Sequence, residues 1–174
     1  VTERPILFLD IDGVVNAFPK KHKKNYAEYV RYDVPVHDDG VVTVFPIHVR
    51  PQVIDFINRV HREGLAQVRW LTTWGRFART DFAPAVGLDD FPVAAEPAPL
   101  GSKGRKVWLP TWWKLAVIRE QAAGRRFVFA DDDLGQETRA ILKALPGESL
   151  LITPFQTPGL EDWQLDKIEV FLKG

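Results

Sequence analysis

Short apolar runs recur along this chain, separated by stretches of helical period, and that alternation leaves few architectures open. Ile6–Leu9, Gln67–Leu71, Arg126–Ala130 and Leu150–Thr153 read as strands. Ile6–Leu9 is apolar without a break, as expected of a strand buried on both faces in a parallel sheet covered by helices. Helices are expected over Pro51–Glu63, Arg76–Ala85, Thr111–Ala123, Gly135–Leu145 and Leu160–Leu172. In the first of these, proline opens the helix, Val53, Ile57 and Val60 share a face, and Gly64 stops it. In the third, Thr111 serves as cap, Trp112, Leu115 and Ile118 form the inner face, and Gly124 closes the helix. A further short strand is expected at Phe91–Ala95, and the proline- and glycine-punctuated stretch 96–110 reads as a loop. Between Tyr26 and Val49 the pattern changes to two β-rich runs around His37-Asp38-Asp39-Gly40, a hairpin with glycine supplying the permissive backbone. The expectation is one α/β domain over residues 1–174 with a parallel central sheet. A small hairpin is inserted at about 18–49, after the first strand.

Composition excludes several classes. Lysine plus arginine equals aspartate plus glutamate at 23 each, so no global field steers the chain to nucleic acid or membrane. With no cysteine, disulfides, zinc–thiolate sites and cysteine nucleophiles are ruled out. No apolar run approaches the roughly 20 residues that span a bilayer. The first residues run straight into the aspartate-rich strand end without a signal-peptide pattern, so a cytoplasmic protein is expected.

Four chemical signals fall at strand ends or a helix start. Asp10 and Asp12 bracket Ile11 where the first strand runs into Gly13, and a turn there would let both carboxylates converge on one ion. Thr72 and Thr73 end the second strand with hydroxyls suited to phosphate oxygens. Lys114 lies in the first turn of its helix, where ammonium and positive helix end both favour phosphate. Asp131, Asp132 and Asp133 end the third core strand and repel one another unless a cation is present. Mg²⁺, a hard ion that prefers oxygen ligands, is the expected partner. Each signal also has an ordinary explanation: an Asp-Gly turn, β-propensity, a solvated lysine, a helix cap. Their joint occurrence at the carboxyl ends of parallel strands, where open α/β sheets bind ligands, favours one site.

The segments FLDIDGVVN, WLTTW, WWKL and FVFADDD resemble the four motifs of the haloacid dehalogenase (HAD) superfamily, over roughly Ile6 to Leu172. The resemblance implies a Rossmann-like three-layer sandwich and a Mg²⁺-dependent phosphatase or phosphotransferase working through an aspartyl-phosphate. It makes Asp10 the nucleophile and Asp12 the acid/base, with the backbone carbonyl of Asp12 on the metal. Thr72 and Lys114 would bind and neutralise the phosphoryl group, and Asp131 and Asp132 would complete the metal shell, which of the two directly being left open. The alternative is a phosphate-binding or regulatory module of the same fold without turnover.

The insert is too small to be a large cap domain, which in this superfamily implies an open site and bulky substrates. FLDIDGVVN with WLTTWG is similar to the HAD domains of Swiss-Army-knife RNA repair proteins, which implies an RNA or DNA end, a 3′- or 5′-phosphate, as substrate. Lys20, Lys21, Lys23 and Lys24 would then touch neighbouring phosphates, or else form a solvated loop. Trp74 and Arg76 would lie where a base can stack, the other reading of Trp74 being core packing.

Overall fold

The computed structural model describes residues 3–97 and 111–174. In chain order it contains β1 (Ile6–Leu9), a 3₁₀ turn (Lys24–Glu28), β2 (Val30–Asp38), β3 (Val41–Val49), α1 (Pro51–Arg62) and β4 (Gln67–Trp70). A π turn (Ala78–Phe82) then runs into α2 (Ala83–Val86), followed by α3 (Thr111–Ala122), β5 (Phe127–Ala130), α4 (Gln136–Lys143), β6 (Ser149–Ile152) and α5 (Asp162–Lys173).

All four residues of β1 are fully buried, because β1 is an inner strand with a core on either side. The four-stranded sheet has the order β4-β1-β5-β6, and every pairing in it is parallel. Successive side chains of a strand point to opposite faces. Leu7, Leu9, Val68, Val128 and Ala130 therefore pack on one side with Val53 and Ile57 of α1 and Leu165 and Ile168 of α5. Ile6, Phe8, Phe127 and Phe129 pack on the other side with Leu115 and Ile118 of α3 and Leu142 of α4. The result is a mixed α/β fold with helices on both faces of a parallel sheet. The chain leaves β1 toward β4 on one side and later returns to β5 on the other. The carboxyl ends of β1 and β5 thus flank the point where strand order reverses, the usual ligand crevice of such sheets.

β2 and β3 form a separate antiparallel hairpin, registered from Val30 opposite Val49 to Asp38 opposite Val41. Asp39 and Gly40 join them with φ of 45° and 81°, the two positive values that a tight two-residue hairpin turn of type I′ requires. Residues opposite one another share a face, so Val34, Val36, Thr43, Phe45 and Ile47 all face one way. Val34, Val36 and Ile47 are buried there, whereas Val42 and Val44 of the other face are exposed.

Three expected elements differ. The strand at Phe91–Ala95 shrinks to a single bridge between Val93 and Trp70, closed by Trp70 N–H to the Pro92 carbonyl and Ala94 N–H to the Trp70 carbonyl. Pro92 has no N–H of its own to extend a ladder. The helix expected over Arg76–Ala85 begins as a turn and widens into the π turn before α2. Pro84 cannot donate to the carbonyl four residues back, and the helix changes its hydrogen-bonding pattern just ahead of it. The final helix starts two residues later than expected, where Glu161 N–H donates to Gln164 Oε1. From residue 98 the expected loop at 96–110 lies outside the described residues, as do the side chains of Thr111 and Trp112.

Candidate active site

The parallel ladder continues past the strand ends and fixes the acidic residues by their backbones. Leu71 N–H donates to the Leu9 carbonyl (2.8 Å), Asp10 N–H to Ala130 (3.0 Å) and Asp131 N–H to Ile152 (3.1 Å). Asp10 and Asp131 therefore stand side by side where β1 and β5 end. Lys114, buried in the first turn of α3, reaches between them and donates to Asp10 Oδ2 (2.5 Å) and Asp131 Oδ2 (2.6 Å). The remaining oxygens take backbone donors: Ile11 N–H to Asp10 Oδ1 (2.7 Å) and Asp133 N–H to Asp131 Oδ1 (2.8 Å). Asp132 Oδ2 accepts from Gln156 Nε2 (2.6 Å).

Among the described residues, charge at this centre is unbalanced. Burial pushes the Asp10 carboxyl up to about 6, against the pull of Lys114, while the neighbouring Asp131 adds to the rise. Burial would lower Lys114, but Asp10 and Asp131 outweigh it and hold the ammonium charged above its ordinary value. Burial also raises Asp132, with Gln156 opposing. Oxygens of Asp10, Asp131 and Asp132 lie within 4.8 Å of one another. Among the described residues, three carboxylates face one ammonium. All the donors are hard oxygens, the type Mg²⁺ selects, so these residues fit a divalent cation.

Asp12 departs from the expectation that two carboxylates after β1 converge on one ion. Its Oδ1 accepts from Asn16 Nδ2 (2.7 Å) and its Oδ2 from Trp74 Nε1 (2.9 Å), and its carboxylate is not among the three clustered ones. The reason lies in the turn. The Ile11 carbonyl accepts from Val14, Val15 and Asn16, and this tight wrap brings Asn16 back beneath Asp12. Asn16 Oδ1 in turn accepts from His48 N–H of β3 (3.0 Å), so one amide ties Asp12 to the base of the hairpin.

Two cavities meet here. The smaller, about 290 Å³, is lined by Asp10, Thr73, Lys114, Asp131, Asp132, Asp133 and Gln156. The larger, about 790 Å³, lies under the hairpin, and its wall includes Asp12, Asn16, Phe45, Thr73, Trp74 and Phe77. Thr73 belongs to both. Thr72 is fully buried, with its Oγ1 accepting from Trp74 N–H (3.4 Å), and it exerts a small lowering influence on Asp10.

Of the other residues expected at the site, Trp74 packs against the core, one of the two readings of it, and adds a contact to Asp12 that was not anticipated. Its ring packs on Phe45 and Phe82 (centroids 5.4 and 5.5 Å) while its N–H holds Asp12. Arg76 is exposed and pairs with Asp38 at the hairpin tip (2.8 Å), a strut rather than part of either cavity wall. Lys20, Lys21, Lys23 and Lys24 are all exposed, and none lines either cavity. Sequence reasoning missed Asn16, Gln156 and Phe45. Asn16 had a signal in the DIDGVVN run; the other two become visible only once the chain is folded.

What fold and site define is a mixed α/β protein with a lysine-bridged acidic centre at the reversal of strand order. No protein-family model matches the chain, and no curated protein matches it. Among the described residues, no helix is long and apolar enough to cross a membrane.

Proposed function

We propose that the chain is a Mg²⁺-dependent phosphomonoesterase of the HAD type, with Asp10 as nucleophile. The observation that carries this reading is the placement of Lys114 between Asp10 and Asp131, beside Asp132, at the carboxyl ends of β1 and β5. Phosphoryl transfer needs chiefly positioning and neutralised charge, and this centre supplies a fixed carboxylate, a buried ammonium and a carboxylate cluster suited to a cation.

An Asp10 oxygen attacks phosphorus and the bond to the ester oxygen breaks, leaving an aspartyl-phosphate. Asp12, on the wall of the larger cavity, gives a proton to the departing oxygen. It then takes one from the water that attacks phosphorus, which frees phosphate and restores Asp10. Thr72, beside Asp10, and Thr73, on the wall of the acidic cavity, bind the transferring group, and Lys114 compensates its charge. Asp10, Asp131 and Asp132 would hold Mg²⁺, with the backbone carbonyl of Asp12 as a further ligand, and the ion supplies neutralisation of the phosphoryl oxygens. The exposed lysines give no specific support for an RNA or DNA end as substrate.

The test is hydrolysis of p-nitrophenyl phosphate with Mg²⁺ by the wild-type protein and by Asp10→Asn. Turnover that falls at least about 1,000-fold in the variant, with unchanged circular dichroism, is expected. Near wild-type turnover in Asp10→Asn would remove Asp10 from the chemistry.

A further inference from the structure

The larger cavity is unlike the acidic one it adjoins. Val36, Val41, Phe45 and Ile47 from the hairpin and Trp74 and Phe77 from the opposite wall make it predominantly apolar and aromatic. Thr73 lines both cavities, and Asp12, the residue assigned to protonate a departing oxygen, sits on the wall of the larger one. The larger cavity is thus next to the place where the ester group of a phosphoryl at Asp10 would lie. At the hairpin tip Arg76 offsets the charge of Asp38, and Asp39, also on the cavity wall, is a further acidic residue that disfavours a second anionic group there.

Given the phosphatase reading, on which this rests, we infer that the substrate is a phosphomonoester whose leaving group carries an uncharged aromatic ring. The ring is seated in the cavity against the open face of Phe45 of β3, with Trp74 and Phe77 on the wall beside it. Ring faces and edges stack favourably on such walls, and a cavity of about 790 Å³ is of the size that buries a small organic molecule. Phe45 already contacts Trp74 and is 40% exposed, so it has both a partner and an open face.

Two substrates with similar leaving oxygens isolate the contribution of the ring: ethyl phosphate and 2-phenylethyl phosphate, both primary alkyl esters. With the Mg²⁺-loaded protein, kcat/KM should favour the phenyl ester by about tenfold or more, the value of burying one ring. In Phe45→Ala that preference should fall to below about threefold. Independently of turnover, 2-phenylethanol should shift the NMR signal of the Trp74 indole N–H, assigned by its loss in Trp74→Phe. Equal kcat/KM for the two esters, or a preference undiminished in Phe45→Ala, overturns the inference and leaves the phosphatase reading standing. A Trp74 signal that 2-phenylethanol does not move also overturns it. Failure to hydrolyse these esters and p-nitrophenyl phosphate alike overturns the phosphatase reading and the inference with it.

Discussion

Gly13 shows how a single residue sets the spacing of the site. Its φ is 71°, and a Cβ at this position would lie 2.6 Å from Asp132 Cγ and Oδ2. Gly13→Ala therefore has to move either the turn after β1 or the Asp132 carboxylate, besides straining the left-handed backbone. Turnover is expected to fall about tenfold or more, a shift of order 1 Å being enough for such a loss, while the far-ultraviolet spectrum stays native. A fully active Gly13→Ala would mean that Asp132 and the turn do not need this contact. At this scale the acidic residues and Lys114 were legible in the sequence, because each sits where an apolar strand ends or a helix begins. Asp12 was placed correctly along the chain but not in space. Its carboxylate is turned by donors 4 and 62 residues away, Asn16 and Trp74, and the second of these becomes a neighbour only through tertiary folding.

The elements differ in what fixes them. β1, β4, β5 and β6 were readable to within a residue or two: β1 and β5 are unbroken apolar runs buried on both faces, whereas β4 alternates buried Val68 and Trp70 with half-buried Gln67 and Arg69. The hairpin was readable from Asp39-Gly40, whose two positive φ values the turn demands. Its attachment was not. Asp38 pairs with Arg76, and His37 Nδ1 lies 3.0 Å from Asp81 Oδ1, so polar contacts distant in sequence tie the hairpin over the cavity. The bridge at Val93 and the π turn before Pro84 escaped because proline removes one donor from a pattern that otherwise reads as regular. Between helices, Arg59 of α1 donates both Nη atoms to Glu169 of α5 (3.1 and 2.6 Å). Hydrogen bonds from Arg59 and then Lys173 hold the Glu169 carboxyl down at about 2. A depressed folded value means that this pair stabilises above the unfolded value of about 4.5 and that the contribution is lost as pH falls toward about 2. Because Arg59 is 39% exposed, solvent screening limits the contribution. Glu169→Gln should lower stability by about 0.5–1 kcal/mol at pH 7 and by almost nothing at pH 2, measured by urea unfolding. An equal loss at both pH values would contradict an ionic origin.

For the whole molecule, the sheet with a core on either face brings the ends of β1 and β5 together, and the acidic centre is a consequence of that topology. Among the described residues, three carboxylates within 4.8 Å carry more negative charge than Lys114 offsets. Binding a cation there should therefore stabilise the fold as well as serve the chemistry. Mg²⁺ at 100 times its Kd adds about 2.7 kcal/mol, which a thermal melt reads as a higher Tm. Asp132→Ala should reduce that shift more than Asp133→Ala. The Asp132 carboxylate belongs to the cluster, whereas Asp133 contributes a backbone N–H to Asp131. Equal shifts in the two variants would move the metal to another carboxylate.

The most direct measurement is to capture the covalent intermediate. An acyl phosphate on aspartate is reduced by borohydride to homoserine, which peptide mass spectrometry locates by residue. The wild-type protein, quenched into borohydride during turnover of p-nitrophenyl phosphate with Mg²⁺, should carry homoserine at position 10, and Asp10→Asn should carry none. Homoserine at position 12, 131 or 132, or steady turnover with no homoserine at position 10, would contradict Asp10 as the nucleophile.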